Sequence, residues 1–84
     1  MIKAEFEVFI EERIKLAALL LADGKISARD DMAEGKLSVL LTLRRALSGK
    51  GTAKDLGMLD AINDSLQSLQ ILNSKETFLG RLEP

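Results

Sequence analysis

The 84-residue sequence predicts an all-α fold: an antiparallel three-helix bundle, helices at about 2–22, 28–48 and 53–73, with a short C-terminal fourth helical segment. Three observations carry that expectation. Apolar residues recur at helical spacing through three stretches. Glycines and capping residues separate those stretches. Each stretch is roughly 20 residues long, the even build of a bundle. Apolar content of 46% with 30% charged residues is that of a folded protein, and the length fits one domain, 1–84, with little stability in reserve.

Residues 2–22 make the first helix. Its core line is Phe6, Phe9, Ile10, Ala17, Leu20 and Leu21, with Ile14 and Leu16 beside it, and Glu11 to Lys15 is an ion pair of favourable orientation. Asp23-Gly24 ends it, with Gly24 as the left-handed residue after the cap. Ile26 offers an apolar staple just before the next cap, Ser27.

The second helix is the centre of the design. Ser27 caps it, with Asp30 three residues on as a carboxylate partner. Met32, Ala33, Leu40, Leu43 and Leu47 fall on one line, flanked by Leu37 and Leu41 on one side and Val39 and Ala46 on the other. This arc is roughly 220° wide, about twice what docking on one neighbour needs. Asp31, Glu34, Ser38, Thr42 and Arg45 form the remaining, solvated strip. Arg44, Arg45 and then Gly49 mark the end.

Thr52 with Asp55 repeats the capping signal and opens the third helix, in which Leu59, Ile62, Leu66 and Leu69 recur at spacings of three and four. Gly57 is a weak point, costing roughly 1 kcal/mol relative to alanine. Asn73 and Ser74 offer a stop and a new cap, and Phe78, Leu79 and Leu82 are the expected buried side of the closing segment.

Charge and motifs exclude more than they establish. Net charge is −1, distributed as −2 over residues 1–23, +2 over 24–48, −1 over 49–73 and zero beyond, too balanced for a general nucleic-acid binder. Cysteine and histidine are absent, which argues against thiol chemistry and soft-metal sites and fits a reducing, cytoplasmic location. Charge-free runs such as Leu16 to Ala22 fall far below the ~20 residues of a membrane span, and the acidic start, with Glu5, Glu7, Glu11 and Glu12, does not read as a signal peptide. Adjacent acids such as Glu11/Glu12 and Asp30/Asp31 point about 100° apart on a helix, so no paired-carboxylate catalyst is expected. The expectation is no enzyme, no metal and no cofactor.

The loop Ala22-Asp-Gly-Lys-Ile-Ser27 resembles the middle of an EF-hand loop, and the similar loop of tellurite-resistance-type helical proteins. The likeness covers six residues. It would place Leu19 and Leu21 where calcium needs oxygen ligands, so coordination fails. A glycine C-cap leading into a serine N-cap accounts for every residue of the loop.

Arg13 is the oddity, a charge in the middle of the first helix's apolar face. Its stem can pack while the guanidinium reaches water. Alternatively it meets a carboxylate across an interface, or binds a ligand such as phosphate. Val8, Leu19 and Ile71 are apolar residues on polar faces. With the over-wide second helix and Phe78-Leu79, they leave more apolar surface than three helices can hide. The expected function is therefore a non-enzymatic protein–protein interaction module: an adaptor, inhibitor or assembly component that self-associates, most simply as a homodimer, or docks on a larger protein. This build is common among small virus- and phage-encoded factors. Val8, Arg13, Leu19, Val39, Ile71 and Phe78 are the expected partner contacts. The alternative is a nucleic-acid-associated regulator using Arg44, Arg45, Lys50 and Lys54 around the second linker. That linker lacks the spacing of a phosphate loop, and Asp55, Asp60 and Asp64 would place negative charge on a would-be recognition helix.

Overall fold

The structure is a computed structural model that describes residues 1–22 and 28–84. The expected features at Asp23, Gly24, Ile26 and Ser27 lie outside the described residues. Three α-helices, α1 (Lys3–Leu21), α2 (Ala28–Leu47) and α3 (Ala53–Ser68), are followed by a single 3₁₀ turn at Leu79–Arg81. The fold is all-helical and consistent with a helical bundle.

α1 and α2 pack along their length, with Glu11 beside Arg44 near one end and Ala17 and Ala33 buried towards the other. α3 is placed differently. Its backbone approaches α2 but, among the described residues, not α1. The core is one cluster, Ile10 from α1, Leu43 from α2 and Leu59 from α3, with Phe6, Ile14, Leu40, Ala46, Leu47, Ile62 and Leu79 packed around it. The molecule measures 44 × 26 × 23 Å. α2, at 20 residues and ~1.5 Å each, spans only about 30 Å.

An ion pair between a half-buried Arg45 and a buried Asp55 holds α3 in place. Thr52 and Asp55 form the expected capping box: Asp55 donates its N–H to Thr52 Oγ1 at 3.1 Å, and Thr52 donates its own to Asp55 Oδ2 at 3.0 Å. The same carboxylate, only 2% exposed as a residue, accepts Arg45 Nε at 2.6 Å and Nη2 at 2.8 Å. Thr42 and Arg45 thus do not lie on a solvated strip, as the helical wheel suggested. Thr42 is buried and Arg45 half-buried, because the start of α3 packs over them and supplies a carboxylate in exchange for water. The Arg45 guanidinium first, and the Thr52 N–H second, hold Asp55 far below the usual carboxylate range.

Helix ends follow backbone chemistry. Gly49 takes a left-handed φ of 75°, and the N–H groups of Gly49 and Lys50 return to Ala46 and Arg45 carbonyls, closing α2 in a Schellman motif. α3 ends the same way, five residues earlier than the apolar pattern suggested. Gln70 adopts φ 62°, and the N–H groups of Gln70 and Ile71 donate to Gln67 and Leu66. The chain then turns back and buries Leu72, which an extended helix to Asn73 would have carried away from the core. Of the expected closing segment, Leu79 and Leu82 are half-buried, whereas Phe78 is exposed. Finally Lys3 donates its N–H to the Glu83 carbonyl at 2.6 Å, and Ile2 and Glu83 form a parallel β-bridge, so the tail supplies an acceptor for one of the orphan donors at the start of α1.

Replacing Gly57, where an added methyl meets nothing within 4 Å, by alanine raises stability by roughly 0.5–1 kcal/mol, whereas Gly49→Ala, forced into a left-handed φ, lowers it by about 1 kcal/mol; urea unfolding reads both. Asp55→Asn lowers the thermal midpoint by roughly 10 °C at neutral pH. Because the folded chain depresses the Asp55 pKa below its ordinary 3.8, the carboxylate's contribution is complete well above that value and fades as pH falls through and below it. Acid titration of stability between roughly pH 5 and 2 therefore shows a steeper loss for the parent chain than for Asp55→Asn.

Candidate functional site

The stripe of α2 that packs on the core continues beyond it at seven-residue spacing: Ala46 is followed by Val39 and Met32, and Leu43 by Lys36 and Arg29. On α1 the same interval takes Phe6, in the core, to Arg13 and Leu20. Seven residues are nearly two turns, so these positions share one side of each helix. α3 covers that side at the core end. Among the described residues nothing covers the other end, where an apolar groove of about 1020 Å³ runs between α1 and α2, its described lining residues all from those two helices.

Small side chains make the groove. Its floor is Ala17 and Ala33, 4% and 1% exposed, which allow the two helices to approach closely and leave no large residue to fill the space above. Its walls are Phe9, Leu16 and Leu19 from α1 and Met32 and Val39 from α2. These walls are wet: Leu19 is 69% exposed, Met32 62% and Val39 44%. Phe9, Leu16 and Met32, assigned to or beside the core lines by their spacing, are corrected by this arrangement. They occupy the apolar faces of their helices, but among the described residues no third element covers them.

Arg13 projects into the groove with its guanidinium carbon 5.0 Å from the centre of the Phe9 ring, and Phe9 stacks on Phe6 at 5.9 Å. The cation thus lies on an aromatic face at the boundary between core and groove. Arg29 and Lys36 line the same cavity. Among the described residues, none of these three cations is in an ion pair.

Of the expected partner contacts, the structure gathers Arg13, Leu19 and Val39 in the groove. Val8 is exposed in a separate depression with Glu7, Glu11, Glu12 and Lys15, and Ile71 and Phe78 are exposed in the segment after α3. Phe9, Leu16 and Met32, expected in or beside the core, and Arg29 and Lys36, not singled out by the sequence, are also groove residues. The repeated seven-residue interval was the available signal for them.

Two of the four cations of the basic cluster around the second linker are committed within the fold. Arg44 forms a two-pronged pair with Glu11, both contacts 2.7 Å, and holds that carboxyl below its ordinary value. Arg45 is held by Asp55. Lys50 and Lys54 are exposed beside these pairs. Among the described residues, no group of three or more potential metal ligands is present, and no helix is long and apolar enough to cross a membrane. Comparison with protein families, curated proteins and solved structures finds no match to this chain.

If the walls are surface and not core, truncating them is nearly free. Leu19→Ser and Met32→Ser are expected to change unfolding free energy by no more than about 0.5 kcal/mol. Ile10→Ala, in the cluster, is expected to cost roughly 3 kcal/mol in the same urea titration. A comparable loss at Leu19 would show that something in the chain already covers the groove.

Proposed function

We propose that this chain is a non-enzymatic, helical protein–protein interaction module whose binding site is the α1–α2 groove. One observation carries the reading: α3 covers one half of the face that α1 and α2 share, while over the other half apolar walls interleaved with cations are exposed among the described residues. A helix from another chain laid on the open half would extend the packing that α3 makes on the covered half. The role is then that of an adaptor, inhibitor or assembly component, and a second copy or a different protein can supply the missing element.

The energetics match a weak contact rather than a permanent one. Covering the exposed parts of Phe9, Leu16, Leu19, Met32 and Val39 at about 1 kcal/mol each gives on the order of 5 kcal/mol. Association itself costs an amount of that order, so apolar contact alone yields weak binding and polar complementarity decides the partner.

Substituting Leu16→Glu with Val39→Glu charges both walls while leaving the Ile10–Leu43–Leu59 cluster intact. Affinity capture from the native host, with parent and doubly substituted chains as baits of matched helix content, is expected to retain a protein that the variant loses. An identical set of bound proteins on both baits would contradict the groove as the docking site.

A further inference from the structure

Resting on the reading of the groove as a docking site, we propose that its occupant is an acidic amphipathic helix supplied by a different protein. The charged residues that line the groove are Arg13, Arg29 and Lys36, and no carboxylate is among its described lining residues. The depression between α3 and the tail is lined by one carboxylate, Asp60, and no cation, so the positive sign distinguishes the groove. The depression beside Val8 mixes Glu7, Glu11 and Glu12 with Lys15 and Arg44, and there Arg44 is already paired to Glu11.

The placement of the cations defines the ligand. Arg29 and Lys36 stand seven residues apart along α2, and Arg13 stands across the groove on α1. A helix with apolar residues at i, i+3, i+4 and i+7 fills the space over Ala17 and Ala33. Carboxylates on its two flanks then reach Arg13 on one side and Arg29 and Lys36 on the other. A helix fits better than a strand, because the groove offers side chains and no open backbone ladder, and because α3 already covers the other half of the same face as a helix.

A second copy of the chain fits poorly. Two-fold pairing of groove on groove would set one all-cationic charge set, Arg13, Arg29 and Lys36, facing the same set in the other copy, a like-charge arrangement that disfavours association. A copy offering any other face would join head to tail and give a ring or filament in place of a closed pair.

The test uses the full chain and two labelled synthetic helical peptides of about 18 residues, or five turns, with the same leucine stripe flanked by glutamate in one and lysine in the other. Fluorescence anisotropy is expected to show the glutamate peptide binding about tenfold or more tightly, with its affinity falling between roughly 50 and 500 mM salt. Combining Arg13→Glu, Arg29→Glu and Lys36→Glu reverses the preference; Lys36→Glu alone narrows it, which keeps the test valid should the triple variant unfold. Equal binding of both peptides overturns the acidic helix while the groove stands as a docking site. Binding of neither peptide overturns the proposal, and if Leu16→Glu with Val39→Glu also loses no captured protein, the docking reading falls with it. Sedimentation equilibrium completes the set: a dimer abolished by those wall substitutions would make the occupant a second copy, overturning the different-protein inference but not the interaction function.

Discussion

The ion pair between Arg45 and Asp55 decides how this molecule is divided. It joins the end of α2 to the first turn of α3, and the same carboxylate closes the Thr52 capping box. A single buried side chain therefore starts a helix and anchors it. Buried ion pairs are poor sources of net stability, because desolvation offsets much of their attraction, but they are costly to misplace. Here the consequence is positional: α3 packs over Thr42, Leu43 and Ala46 and not farther along the same stripe.

That anchoring separates the α1–α2 pair into two regions with different chemistry. At one end Ile10, Leu43 and Leu59 meet, and the tail adds Leu79 and the Glu83 bridge to Ile2. At the other the helices touch through Ala17 and Ala33, and the large side chains stand at the walls with one face in water. Three cations among those walls give the open half an electrostatic sign as well as an apolar character. Area alone would make a weak and indiscriminate contact, and the cations supply the means of choosing a partner.

Much of the architecture was legible in the residues. The three helices, the Thr52–Asp55 cap and the left-handed Gly49 each have a local cause, and local causes can be read along the chain. The α2 apolar arc is wider than its neighbours cover, and Val39 on its flank is exposed, as is Leu19, the stray apolar residue of α1. What escaped has non-local causes. Thr42 and Arg45 are polar, so periodicity alone turns them outward; only the arrival of Asp55 explains their burial. Gln70 has no residue-type signal for its left-handed turn, so the end of α3 at Ser68 was hidden within an apolar pattern that runs past it. Phe9, Leu16 and Met32 lie on apolar faces as their spacing dictates, but spacing identifies a face and not whether another element covers it.

The account rests on one half of an apolar stripe standing open in the isolated chain. Methyl NMR of the dilute chain with a soluble paramagnetic probe measures this directly, residue by residue. The methyl groups of Leu16, Leu19, Met32 and Val39 are expected to relax strongly, while those of Ile10, Leu43 and Leu59 stay protected. Protection of Val39 and Leu16 equal to that of Leu59 would mean that the chain fills its own groove, and would contradict the account.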